Sequence, residues 1–404
     1  MEVNLQELLD SVSYKNKDGS YNRLRASSER ESILEKQSTE TNKIYDNNGN
    51  QFDTYLDAML SSASNLGASD IHIIADAPPK HRVDGKLVPI PNYGILSKQN
   101  THDLLAVLLD DETEKFFEQD GDLDFAHTVP NVGRFRVNMY KQRESWAGVF
   151  RKLSTVIPTP QQLSLPQSVI NLNELKRGLV LVTGPTGSGK STTLASIIDM
   201  INSTSYRNII TLEDPIEYVH KHKMCNVAQR EMVVDSKNFA SALRAALRED
   251  PDVILVGEMR DYETISTAVT AAETGHLVFS TLHTIGAVAT IDRILDTYPP
   301  QQQAQARAQL SVCFQGVVSQ QLIPKINGGR VAAFEVMLGT DPIRSLIREG
   351  KTEQIGSYIQ NGKQLGMVLM DESILDLVNS RIISPEQGLL FSVDKNKMQG
   401  KIRG

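Results

Sequence analysis

The nine residues GPTGSGKST, Gly184 to Thr192, restrict what this chain can fold into more than any other stretch. They fit G-x-x-x-x-G-K-[S/T], and they sit where that pattern is useful: an apolar strand, LVLVT, runs into them and a helix-forming segment, STTLASIIDMI, runs out. Glycines let the backbone wrap closely around phosphates, successive N–H groups point inward, and the following helix adds its positive end. On this reading Gly184, Pro185, Thr186, Gly187, Ser188, Gly189, Lys190, Ser191 and Thr192 cradle a nucleotide. Lys190 reaches the β- and γ-phosphates and Ser191 ligates Mg²⁺. At ordinary residue frequencies the bare pattern arises by chance in roughly one chain of this length in a hundred. The strand-loop-helix context separates it from a structural glycine turn.

Around that loop, strands and helices alternate: GLVLVTG, a helix from Lys190, NIITL, NFASALRAALRE, VILVG, YETISTAVTAAE, HLVFSTL and AVATIDRILD. Such alternation predicts βαβ units around a mostly parallel sheet, an α/β fold class with a RecA-like P-loop NTPase core over residues 169–404. From Pro299 onward the pattern is mainly helical, broken by a short strand pair near LIPK and GGRVAAFEVML.

Residues 53–153 read as a smaller α+β domain. YLDAMLSSAS has helical spacing, Ile71 and Ile73 alternate on one strand face, and Asp84-Gly85 sits between two strand-like arms as a hairpin turn. In GRFRVNMYKQR, Phe135, Val137 and Met139 alternate with Arg134 and Arg136, which puts the apolar set on a core and the arginines on the other face. Residues 154–168, with three prolines, read as an extended linker. Residues 1–52 are polar and poor in aromatic residues, a composition expected to stay mostly mobile, with a short helix at 29–37 as one option.

A length of 404 residues suggests two or three domains, and a formal charge of -7 gives no support to a general nucleic-acid coat, so nucleic acid is not an expected partner. Cys225 and Cys313 lie far apart without metal-site or disulfide spacing, as for ordinary thiols in a reducing cytosol. The opening MEVNLQELLD lacks a basic leader followed by an apolar core. No apolar run approaches the roughly 20 residues of a membrane span. A cytoplasmic protein that meets a membrane through its partners is the expectation.

Nucleotide hydrolysis needs an acid to orient water, a metal shell, and donors that meet charge on the γ-phosphate. Glu213, opening EDPIEYVH after NIITL, and Glu258, just past VILVG, both fall at carboxyl ends of predicted strands, where α/β sheets bind ligands. His276 and His283 bracket LVFSTL, and either could contact the γ-phosphate. The chain carries no Asn-Lys-x-Asp guanine reader and no Leu-Ser-Gly-Gly-Gln transporter signature, which favours ATP.

Taken in order, GPTGSGKSTT, LEDPIEYVH, RAALREDPDVILVGEMRD and TGHLVFSTLHT closely resemble the nucleotide-binding box, Asp box, atypical second nucleotide box and His box of the PilT family of type IV pilus retraction ATPases, within the secretion ATPase superfamily. ASDIHI, VDGKLVPI and FRVNMYKQR resemble that family's first domain, so the likeness runs from about Phe52 to the C-terminus. It implies a homo-hexameric ring in which a PAS-like N-terminal domain rotates against the core. ATP turnover, with Mg²⁺, would then disassemble the pilus at an inner-membrane platform protein, from the cytoplasmic face.

The resemblance makes Glu213 the catalytic base and Glu258 the holder of the magnesium shell. It calls for arginines from the N-terminal domain, for which Arg82, Arg134, Arg136 and Arg143 are the candidates. Retraction members carry Ala-Ile-Arg-Asn-Leu-Ile-Arg-Glu; here it reads PIRSLIRE, with Asp341 expected as helix cap and Pro342 as the first helical residue. The polar extension also departs from the family, as a tether or as a docking arm. Related motors of secretion or conjugation systems, an accessory retraction ATPase, and a nucleic-acid translocase on the same core are the rival readings.

Overall fold

A computed structural model of the chain describes residues 44–154 and 156–403. The chain divides into two compact units between Thr155 and Val156. Most of the polar extension, including the helix expected at 29–37, lies outside the described residues. Its last nine residues differ from expectation: β1 (Ile44–Tyr45) and β2 (Gln51–Phe52) form an antiparallel hairpin. Asp46 holds it, its buried carboxylate accepting hydrogen bonds from Ser61 Oγ at 2.7 Å and from Asn50 N at 2.8 Å. A local Asx turn therefore orders a stretch whose composition alone is featureless.

In the first unit, six antiparallel strands run in the order β5-β4-β3-β8-β7-β6. They are β3 (Asp70–Ile73), β4 (Lys80–Val83), β5 (Lys86–Pro89), β6 (Asp122–Val129), β7 (Gly133–Gln142) and β8 (Ser145–Lys152). The helix Tyr55–Asn65, capped by Thr54, packs Leu56, Met59, Leu60 and Ala63 against Ile71, Ile73, Phe135, Val137, Met139 and Phe150. The period-2 alternation of β7 thus leaves Arg134 and Arg136 on the face away from this core. The β4–β5 turn has positive φ at Asp84 and Gly85, as a two-residue hairpin requires.

The second unit is built on seven strands in the order β11-β10-β12-β13-β9-β14-β15, all parallel except β15. These are β9 (Gly178–Thr183), β10 (Asn208–Glu213), β11 (Asn226–Glu231), β12 (Val253–Val256), β13 (Leu277–Leu282), β14 (Phe314–Pro324) and β15 (Arg330–Leu338). Covered on both faces, the central strands are continuous apolar runs. Leu179 and Leu181 of β9 enter one core, while Val180 and Val182 enter the other. The β14–β15 pair is longer than the short pair expected. The proline segment is less extended than expected, because Leu165 is buried in the core and Gln167–Ile170 is helical. Among the described residues no helix is long and apolar enough to cross a membrane.

The helix Asp341–Glu349 corrects one detail. Its first i to i−4 bond, Arg344 N to the Thr340 carbonyl at 2.9 Å, makes Thr340 the cap, so Asp341 is already helical and Pro342 is second. Ser345, where the resemblance has Asn, is partly buried and donates to Glu349 Oε1 of its own helix at 3.1 Å.

Candidate active site

Parallel strands bring their carboxyl ends to one edge, and at that edge β13 pairs directly with β9. The loop after β9 turns through Gly184, Gly187 and Gly189, all at positive φ, into the helix Lys190–Thr204. Gly184 has no alternative: a Cβ there would lie 2.2 Å from the Gln320 carbonyl oxygen of β14. Gln320, buried in β14, braces the loop from beneath. Its Nε2 donates to the Ser188 carbonyl at 2.6 Å and its Oε1 accepts from Thr193 Oγ1 at 3.0 Å.

Lys190 is buried and folds back over the loop, donating to the carbonyls of Gly184 at 2.9 Å and Pro185 at 3.1 Å. Burial lowers its pKa, and the nearby acids Glu258 and Glu217 counteract that by favouring the charged form. The ammonium is therefore held at the mouth of the phosphate loop with two carboxylates in electrostatic range.

His283 follows β13 and links loop to acid: its Nδ1 lies 3.5 Å from Thr186 Oγ1 and its Nε2 3.3 Å from Glu258 Oε1. Arg260 takes the same carboxylate oxygen at 2.6 Å. His276 does not join them. It precedes β13 and stands at the strand's other end, about 20 Å away by the rise of six strand residues, with Nδ1 3.0 Å from the Ala271 carbonyl. In a parallel sheet only the carboxyl end meets the loop, which removes His276 from the site.

Glu213 closes β10. Its Oε1 accepts from Thr211 Oγ1 at 2.7 Å and from Gln229 Nε2 at 3.0 Å. Burial pushes its carboxyl up to about 7, Glu217 and Glu231 add to the rise, and the two donors oppose it. Its side chain lines a small cavity together with Ser191, Tyr218, His220, Gly257 and Thr281. Tyr218 Oη lies 3.0 Å from Thr192 Oγ1, tying the loop after β10 to the first turn of the helix Lys190–Thr204.

The family model for type II/IV secretion system proteins matches residues 47–384. The type IV pilus retraction ATPase PilT of Pseudomonas aeruginosa is 50% identical over 328 residues, 81% of this chain and 95% of that protein. The chain belongs to the PilT family of type II/IV secretion system proteins. A twitching motility protein of Neisseria gonorrhoeae is 46% identical over 314 residues, 78% of this PilT-family chain and 84% of its own length. The crystal structure of the pilus retraction motor PilT with bound ADP matches with a TM-score of 0.80 at 47% identity, covering 86% of this chain and 99% of that one. The Legionella pneumophila ATPase DotB matches with a TM-score of 0.76 at 32% identity, covering 83% and 94%.

In this PilT-family chain the oxygen donors suit a hard divalent cation. Ser191 offers a hydroxyl on the first helical turn, and Glu258 a carboxylate in electrostatic range of the adjacent Lys190. Among the described residues no group of three or more His, Cys, Asp or Glu could hold a metal ion. A magnesium bound beside phosphates needs only one or two such protein ligands.

The candidate arginines all belong to the first unit. Arg82 Nη1 donates to the Gly85 carbonyl at 2.9 Å, and its Nε is 3.9 Å from Asp70. Arg134 Nη1 donates to Thr128 Oγ1 at 3.1 Å and Arg136 Nε lies 3.8 Å from Asp124. Arg143 occupies the β7–β8 turn at φ 44.

Of the site residues that the sequence did not single out, three show how such signals differ. Thr211 was open to discovery, since period 2 places it on the face of Glu213. Glu217 had a signal as the third acid of EDPIE. Gln229 had none, because it reaches Glu213 only through the β10–β11 pairing.

Proposed function

We propose that this protein, an ATP hydrolase of the PilT family, powers disassembly and retraction of a type IV pilus and thereby twitching motility. One observation carries the reading: Thr186, His283 and Glu258 form a contact chain, at 3.5 and 3.3 Å, from the phosphate loop to an acid at the next strand end. That chain lies within a sequence similar over most of its length to a pilus retraction ATPase.

In the proposed reaction the loop from Gly184 to Thr192 binds the ATP phosphates, with Lys190 on the β- and γ-groups. Water attacks the γ-phosphorus, the bond to the bridging β,γ-oxygen breaks, and Glu213 takes the water's proton. A base with a pKa near the working pH is suited to that transfer. His283 contacts the γ-phosphate and carries its presence to Glu258. Ser191 and Glu258 would hold Mg²⁺, which when bound neutralises charge on the phosphates. Arg82, Arg134, Arg136 and Arg143 are the cations proposed to complete the site in an assembled homo-hexamer, where turnover rotates the two domains. The ring would work at the cytoplasmic face of the inner membrane against the pilus platform protein.

Deleting the gene tests this reading through a count of surface pili and a twitching assay. Excess pili that fail to retract are expected. Absent pili would make the protein an assembly motor, and unchanged pili with a secretion defect would assign it to a secretion system.

A further inference from the structure

Glu213 is held by a partner on another strand. β10 and β11 are parallel, with Thr211 opposite Gln229 and Glu213 opposite Glu231. Thr211 and Gln229 therefore share the face on which Glu213 stands, and both donate to one oxygen, Oε1, at 2.7 and 3.0 Å. Among the described residues no hydrogen bond reaches Oε2.

The Gln229 amide is fully committed. Its Nε2 donates to Glu213 Oε1 at 3.0 Å and to the Tyr218 carbonyl at 2.9 Å, and its Oε1 accepts from His220 N at 2.7 Å. Two acceptors around the nitrogen and one donor at the oxygen fix the orientation of the amide, since the flipped form would lose all three bonds. One side chain thus ties the carboxylate to the segment 218–220, whose Tyr218 meets Thr192 on the phosphate-binding helix at 3.0 Å.

We propose that Gln229 is a positioning residue for hydrolysis, locking Glu213 through Oε1 so that Oε2 is the oxygen that receives the proton of the attacking water. The inference rests on Glu213 being the base. With its amide taken up by Glu213, Tyr218 and His220, Gln229 acts through Glu213. Its loss should therefore appear in turnover and leave nucleotide affinity alone.

The experiment measures kcat, KM and nucleotide affinity for full-length Gln229→Met, which keeps side-chain length without an amide, and Gln229→Glu, which keeps the acceptor for His220 N but loses both donors. Either variant suffices once its nucleotide affinity shows a folded site. A base displaced by a fraction of an ångström to 1 Å should lower kcat on the order of 10- to 100-fold, with KM within about threefold of wild type. Combining Gln229→Met with Glu213→Gln should add no further loss, because two residues acting through one group are not additive.

Unchanged kcat in a folded variant overturns the inference, as does a loss confined to KM. A full additional loss in the Glu213→Gln background does the same. If Glu213→Gln alone keeps normal turnover, the reading of Glu213 as base fails first, and a kcat loss in Gln229→Met then belongs to another group.

Discussion

The raised pKa of Glu213 has a consequence in the folding equilibrium as well as in catalysis. Its carboxyl is pushed from an ordinary 4.5 up to about 7 by burial. The folded state therefore binds this proton more tightly than the unfolded chain. Stability from this group is greatest below pH 4.5 and falls as pH rises through 7. At full effect the buried charge costs about 3 kcal/mol. Partition between the two pKa values gives about 1 kcal/mol at pH 5.5 and about 3 kcal/mol at pH 8.5. Glu213→Gln removes the charge yet keeps an oxygen for Thr211 and Gln229. The variant should therefore gain about 2 kcal/mol more over wild type at pH 8.5 than at pH 5.5. Paired urea unfolding of ligand-free protein at the two pH values reads this difference directly. In the same preparation ATP binding should persist while hydrolysis falls by about 10²- to 10⁴-fold, the range for loss of a positioned base. An equal stability increment at both pH values would show a carboxyl that titrates as in water, and the burial argument would be refuted.

Gly184→Ala should cost about 3 kcal/mol or more and abolish nucleotide binding, because the new Cβ meets the Gln320 carbonyl at 2.2 Å on a backbone with φ 140; a variant that melts and binds ADP like wild type would contradict the bracing of the loop by β14. Both cysteines are buried, the Cys225 thiol donates to the Ser205 carbonyl at 2.9 Å, and burial pushes the Cys313 thiol up to about 12. An aromatic disulfide reagent at pH 8 should thus find almost no reactive thiol in native protein and two in unfolded chain, and rapid native labelling would oppose this packing.

What the sequence made legible follows from how local each signal is. The glycine-rich loop is a contiguous motif whose flanking strand and helix are also contiguous, so fold class and a candidate nucleotide site are legible together. The apolar runs of β9, β12 and β13 announce themselves because each is covered on both faces. By contrast β11, NVAQRE, is an edge strand with few apolar side chains, and only its ladder to β10 makes it one. β6 has the same difficulty, its acids alternating with a thin apolar set. His276 and His283 flank one apolar run alike, and it is the parallel pairing of β13 with β9 that brings only the His283 end to the loop. Gln229 is the extreme case: nothing near it in sequence distinguishes it from a surface glutamine.

The same geometry accounts for the glycine that stands between β12 and Glu258. β12 lies beside β10, and Gly257 N donates to the Leu212 carbonyl at 2.7 Å, which draws the two strand ends together. A Cβ at residue 257 would come within 3.0 Å of that carbonyl oxygen and 3.4 Å of the Glu213 Cα. An aspartate there would have to push back the segment that carries Glu213. The missing side chain is thus what lets a carboxylate from β10 stand against β12, in the cavity that also contains Ser191. Glu258, one residue on, is turned to Arg260 and His283 instead. The two acids occupy different places: Gly257 leaves room for Glu213, while Glu258 is held by Arg260 and His283.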